Sequence, residues 1–230
     1  MDFVCVLKTG GAYSVTHVEA LRDLLLRFNP DARLYCLTDE RRPIEGVISQ
    51  PLRHDLPGWF SKLEIFELDL PSFIYVDLDV IITGPISLHI PSGLWLLRGF
   101  KGHGVNSSVM LVNGHFASLT QDFLQNRDQA IRDYTTAGRG WGDQDFIRDS
   151  GLMSGFIQDC CPGLAGSWRQ SLNYRMGVID DAPSILVFHG QPKPEQVRFQ
   201  VLGPHRIRLF AFRYLPQFLF YRFRRRSVGA

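Results

Sequence analysis

Residues 72–82 read Ser72-Phe73-Ile74-Tyr75-Val76-Asp77-Leu78-Asp79-Val80-Ile81-Ile82, the most apolar strand-like stretch of the chain, interrupted by two carboxylates. On a strand, residues i and i+2 share a face, so Asp77 and Asp79 point together and Leu78 away. Two neighbouring carboxylates repel unless a cation or a proton intervenes. A hard divalent cation with oxygen ligands answers that need. The plainer reading is two solvent-facing acids just past a strand end, and an isolated Asp-x-Asp favours it. The deeply apolar run ahead of the pair argues against a solvated position.

The flanks supply the rest of the architecture. Phe3 to Leu7 is a short apolar strand ended by Lys8-Thr9-Gly10-Gly11. Val15, Val18, Leu21, Leu25 and Phe28 recur at helical spacing, and Asn29-Pro30 closes that helix. Arg33 to Leu37 is a second strand, ending at Thr38-Asp39, with a crossover long enough for parallel pairing. Further strands are predicted over 47–50, 94–97, 108–112 and 184–188, and helices over 59–68, 115–134 and 143–149. Alternating strands and helices imply an α/β layered domain with a mainly parallel central sheet flanked by helices. Ligands in such sheets bind at the carboxyl ends of the strands.

Composition narrows the function. The 230 residues amount to one domain, or a large domain with a short appendage. At 45% hydrophobic and 21% charged, the chain is neither disordered, collagenous nor a disulfide mini-scaffold. Its four Cys (Cys5, Cys36, Cys160, Cys161) are too scattered for a disulfide framework, which favours a reducing compartment. No G-x-G-x-x-G follows the first strand, and there is no G-x-x-x-x-G-K-[ST] loop or C-x-x-C pair. There is no uncharged apolar run of about 18 residues, and the N-terminus reads as a strand rather than a signal peptide. The net charge of +2 hides an asymmetry: residues 206–226 hold seven Arg and no acid, leaving 18 basic against 23 acidic residues, or −5, elsewhere. The predicted division is therefore a main α/β domain over 1–203 and a basic-aromatic tail over 204–230. The seven Arg of 206–226 interleave with seven aromatics, which suits an anionic membrane surface better than packing on the body or binding nucleic acid. Pro216 divides the tail.

Two classes of phosphate chemistry place Asp-x-Asp after an apolar strand. In haloacid-dehalogenase-type phosphatases the first Asp is a nucleophile. That motif usually opens the domain, whereas here it follows 76 residues, and Gly142-Asp143 lacks the acid expected a few residues on. In nucleotide-sugar transferases the pair holds the metal bound to a donor diphosphate.

Six segments favour the second class. They are Val6 to Tyr13, Phe60-Ser61-Lys62-Leu63, Asp77-Leu78-Asp79, Asn106-Ser107-Ser108-Val109-Met110, Trp141-Gly142-Asp143-Gln144-Asp145, and Phe188-His189-Gly190-Gln191-Pro192-Lys193-Pro194. Their types and order resemble family 8 glycosyltransferases, the group of glycogenin and bacterial lipopolysaccharide galactosyltransferases, over roughly residues 3 to 194. The resemblance implies a GT-A fold and a retaining, UDP-sugar-dependent transferase acting on a glycan or lipid-linked glycan. It implies Mn²⁺ or Mg²⁺ on Asp77, Asp79 and His189. It implies donor contacts from Leu7, Thr9, Tyr13, Lys62, Asp77, Leu78, Asn106, Gly190 and Lys193, with Asp143 and Gln144 beside the reacting carbon. Gly10 stands where the family often has Asn, and Ser108 where it has Gly.

The chemistry is consistent: a cation with two carboxylates and an imidazole screens a departing diphosphate, and Lys62 and Lys193 add charge-assisted bonds. Simpler roles exist for several of these residues. Thr9 and Tyr13 fit a loop and a helix start, Asn106 a turn, and Asp143 a helix cap. The resemblance implies that the tail holds the enzyme at the cytoplasmic face of a membrane, as in the lipopolysaccharide members of the family. An inactive membrane adaptor with the same fold is the non-enzymatic alternative.

Overall fold

Residues 2–38 fold as the strand–helix–strand unit that their pattern predicts: β1 (Asp2–Leu7), α1 (Val15–Phe28) and β2 (Arg33–Thr38). This computed structural model describes residues 1–100, 102, 104–136, 142–169, 177–190, 193, 194, 197 and 199–209. β1 and β2 pair in parallel with Cys5 opposite Cys36. α1 presses Val18, Leu21 and Leu25 into the core. Asn29 ends it: its backbone N–H and its side-chain amide both donate to the Leu25 carbonyl, at 2.8 and 3.1 Å. Its Oδ1 also accepts the Ile86 N–H at 2.7 Å, tying the helix end to a distant loop.

β3 (Ile48–Pro51) adds in parallel to β2. Residues Gly58–Glu67, expected as a helix over 59–68, wind as a 3-10 segment. Every residue from Phe60 to Phe66 is buried, so the stretch has no solvent face of the kind an amphipathic α-helix presents. The decisive stretch 72–82 is two strands rather than one: β4 (Ser72–Val76) and β5 (Val80–Ile82) belong to different sheets. Asp77-Leu78-Asp79 is the turn between them, so strand alternation does not orient the two acids, contrary to expectation.

β6 (Gly93–Arg98) and β7 (Val105–Asn113) follow. The single helix predicted over 115–134 is α2 (Ala117–Gln125) and α3 (Arg127–Thr135), broken at Asn126, whose backbone (φ −125°, ψ 30°) is not helical. α4 spans Asp143–Asp149, as predicted. The remaining elements are short: β8 (Gly155–Phe156), α5 (Ile157–Cys160), β9 (Ala165–Ser167), β10 (Gly177–Ile179), β11 (Ile185–Val187), β12 (Phe199–Gly203) and β13 (Arg206–Leu209).

Among the described residues the main sheet has seven strands in the order β3-β2-β1-β4-β7-β6-β8. All run in one direction except β7, which is antiparallel to both β4 and β6. The sheet is therefore mainly parallel with helices on its faces. One face is covered by α1 over a core that includes Phe3, Leu25 and Ile74. The other is covered by the 3-10 segment and α2, around Phe60, Phe73 and Phe123. Two smaller sheets, β5-β11-β9 and β10-β13-β12, complete the fold, with Trp168 and Phe188 stacked 5.3 Å apart in a third core.

The predicted boundary at 203/204 falls at the turn of the β12–β13 hairpin, so the basic segment begins as a strand with Ile207 buried. Residues 210–230 lie outside the described residues. Among the described residues no helix is long and apolar enough to cross a membrane.

Candidate active site

A cleft of about 770 Å³ opens where the carboxyl ends of β4, β9 and β11 meet the beginnings of β7 and α4. A bulge builds one wall. β6 pairs Leu96 with Met110 but Leu97 with Asn106, so residues 107–109 of β7 have no partner on β6, although Val109 still pairs with Val76 of β4. Bulges re-aim side chains next to functional sites. Here the Ser108 carbonyl accepts the Asp77 N–H at 2.9 Å, holding the turn after β4 against the bulge. Ser107 faces inward.

Lys62 is the centre of this wall. Its Nζ stands 3.0 Å from Asp77 Oδ1 and 3.1 Å from Asp143 Oδ2, and donates to Ser107 Oγ at 3.0 Å. Ser107 Oγ in turn donates to Asp143 Oδ2 at 2.6 Å. Tyr75 donates its hydroxyl to Asp77 Oδ1 at 2.6 Å. Burial works against the Lys62 charge, but Asp143 and Asp77 outweigh it and hold the ammonium above its ordinary range. Burial raises the carboxyl of Asp143, against the pull of Lys62 and Ser107.

The opposite wall is organised by Asp79. Tyr13 donates its hydroxyl to Asp79 Oδ2 at 2.9 Å, and Lys193 pairs with the same oxygen. Burial and the charge of Asp77 raise the Asp79 carboxyl, while Lys193 and Tyr13 lower it. Across from it, His189 stacks on Phe100 with ring centroids 5.1 Å apart, and its Nε2 shares a hydrogen bond with Ser167 Oγ at 2.7 Å.

Most of the residues singled out in the sequence meet here. Lys62, Asp77, Asp79, Asn106, Asp143, Gln144, His189, Gly190 and Lys193 all line the cleft, and Tyr13 reaches it through Asp79. Three others do not line it. Leu7 and Leu78 are buried in the core under α1, and the exposed Thr9 gives its N–H to Asp39 Oδ1 at 2.7 Å. Asp143 is not a helix cap. Gly142 takes the capping position, and Asp143 begins α4 with its carboxylate on Lys62 and Ser107. Trp141, Gln191 and Pro192 lie outside the described residues. Ser107, Tyr75, Ser167, Phe100, Trp59 and Arg169 also build or border the site. Of these, Tyr75 and Ser107 fell inside quoted stretches without being assigned a role, and no spacing rule marks the others.

The lining charges balance: Asp77, Asp79, Asp143 and Asp145 against Lys62, Lys193, Arg148 and Arg169. Among the described residues no three His, Cys, Asp or Glu side chains stand together as a metal cluster. The chemistry of the donor set nonetheless fits a divalent cation: two carboxylates, one of them buried, and an imidazole border one cleft. Asp79 would exchange its ammonium partner for the ion, and His189 its serine.

The fold is of the GT-A type found in solved glycosyltransferases. The glycosyltransferase GlyE of Streptococcus pneumoniae superposes with a TM-score of 0.56 at 17% identity, over 84% of this chain and 55% of GlyE. The galactosyltransferase LgtC, solved with donor and acceptor sugar analogues, superposes with a TM-score of 0.55 at 12% identity, over 84% of this chain and 89% of LgtC. The chain thus spans about half the length of GlyE. No protein-family model matches the chain, and no curated protein matches it in sequence.

Proposed function

We propose that the protein is a metal-dependent glycosyltransferase, moving a sugar from a UDP-sugar donor to a hydroxyl of a glycan or lipid-linked glycan, with retention of anomeric configuration. The observation that carries this reading is the cleft at the end of β4, where Asp77 and Asp79 meet Lys62, Lys193 and His189 on a GT-A fold. The charge balance adds to it. The carboxylates of the cleft already engage Lys62, Lys193 and Arg148, so a dianionic diphosphate needs further positive charge to enter.

Asp77, Asp79 and His189 would hold Mn²⁺ or Mg²⁺, which when bound supplies Lewis-acid stabilisation to the departing diphosphate. The chain's own residues do the rest. Released from Asp79, Lys193 turns its ammonium to the phosphates. Arg169, whose guanidinium has no carboxylate partner among the described residues, adds a second cation at the rim. Lys62 holds the Asp77 and Asp143 carboxylates in place. Asn106 and Gln144 face the donor sugar. The bond from the anomeric carbon to phosphate breaks as the bond to the acceptor oxygen forms on the same face. The acceptor proton passes to the leaving phosphate. Residues 206–226 dock the enzyme on anionic lipid at the cytoplasmic face of a membrane, with no nucleic-acid role.

The test is UDP release from a panel of UDP-sugars with and without Mn²⁺. Release from one sugar, needing the metal and lost in Asp77→Asn, supports the reading. No release with any sugar overturns it. The phosphatase alternative loses its scaffold in this fold, and hydrolysis of p-nitrophenyl phosphate would restore it. Lipid binding through the tail with no nucleotide affinity would point to the adaptor.

A further inference from the structure

Among the described residues Trp59 is the most exposed large apolar side chain, at 63%, and it lines the cleft. Ordinary folding puts such a ring inside, and its neighbour Phe60 is buried, 4.8 Å from the ring of Phe123. The 3-10 segment is thus anchored firmly while Trp59 is held outward. The backbone of Gly142 lies against the indole: a Cβ at that position would come within 2.7 Å of Trp59 Cε3. Gly142 therefore leaves room for this ring, immediately before Asp143 and Gln144.

The ring also stands on a definite side of the site. Tyr13, Asp79 and Lys193 form the wall on the α1 side. Trp59 belongs with Lys62, Ser107 and Asp143, on the side of the 3-10 segment and α4. On the transferase reading a nucleotide diphosphate would sit against Asp79 and Lys193, on the first wall. Trp59 lines the same cleft beside Gly142, Asp143 and Gln144, the side that such a nucleotide would leave open to an acceptor.

We propose that Trp59 is the stacking platform for a pyranose ring of the acceptor. One face of a pyranose presents axial C–H groups, whose partial positive charge complements the negative face of an aromatic ring. The indole N–H remains available to a sugar hydroxyl. This inference rests on the glycosyltransferase reading and deepens it by naming the residue that holds the acceptor's sugar ring.

The experiment is saturation-transfer NMR with methyl β-glucoside, methyl β-galactoside and methyl β-N-acetylglucosaminide as probes, in the presence of UDP and Mn²⁺. One of these is expected to receive saturation on the protons of a single ring face. The glycoside affinity, read by titrating that signal, should fall about tenfold in Trp59→Ala, the equivalent of 1.4 kcal/mol, and be largely kept in Trp59→Phe. UDP binding, measured calorimetrically on the same samples, should be unchanged in both variants, which also shows that they fold. An unchanged glycoside signal in Trp59→Ala overturns the proposal, as does the lack of any signal from the three probes with the wild-type protein. If UDP binds in those cases, the platform fails and the transferase reading stands. If UDP does not bind at all, the transferase reading fails first.

Discussion

Replacing Lys62 by Met keeps the length of the side chain and removes its charge from between two carboxylates. At 3.0 and 3.1 Å each attraction is roughly 5 kcal/mol at an effective dielectric constant of about 20. Desolvation of the ammonium offsets much of this. Stripping one partner from a buried pair costs about 3–5 kcal/mol, because the other charge is left buried and unpaired. Asp143 is almost fully buried, whereas the Asp77 side chain is 25% exposed, so Asp143 dominates the loss. Burial already raises the Asp143 carboxyl, and Lys62 is the main group holding it down. Without Lys62 the carboxyl rises further. An acid whose pKa is higher folded than unfolded binds more protons when folded, so it favours folding as pH falls. Urea unfolding of Lys62→Met should therefore show a loss of about 3–5 kcal/mol at pH 8 and a smaller loss at pH 5. Adding Asp143→Asn should recover about 1–2 kcal/mol at pH 8. A variant as stable as wild type at pH 8, or a loss that grows toward pH 5, would refute the reasoning.

Other residues yield sharper local tests. Gly142 has φ 68° and ψ −138° and abuts Trp59, so Gly142→Ala should cost about 1–3 kcal/mol in thermal or urea unfolding. Trp59→Ala in the same chain should relieve the steric part. Ser107→Ala removes a buried donor to Asp143 at 2.6 Å and should cost about 1–3 kcal/mol at pH 8, with a smaller loss at lower pH, because the donor favours the ionised form of a carboxyl that burial raises. Gln144 lines the cleft without an ion-pair role, so Gln144→Ala should leave the melting temperature and UDP affinity near wild type. Its UDP-sugar turnover should fall about tenfold or more, as for a residue that acts in the transition state.

Long periodic segments were legible in the sequence. β1, α1, β2 and α4 stand where alternation, helical spacing and the Asn29-Pro30 stop place them. Asp-x-Asp at the carboxyl end of an apolar strand was also legible, because strand ends are where such sheets bind ligands. What lies across from Asp77 and Asp79 was not. Their orientation comes from a turn between two sheets and from Lys62 and Lys193, which contact them from distant parts of the chain. Ser107 was quoted as part of a motif, but its link between Lys62 and Asp143 depends on a β7 bulge that no local pattern announces. The strands β8, β9 and β10, two or three residues each, exist through tertiary pairing rather than propensity. Leu7 and Leu78 carry the same lesson in reverse: they belong to motifs, yet their side chains serve the core.

The central claim is a nucleotide diphosphate site built on Asp79, Lys193 and a divalent cation. Calorimetric titration of UDP into the wild-type protein and Asp79→Asn, each with and without Mn²⁺, tests it most directly. The account predicts micromolar binding to wild type only with the metal, and none to Asp79→Asn under either condition. Equal UDP affinity with and without Mn²⁺, or unimpaired binding by Asp79→Asn, would contradict it.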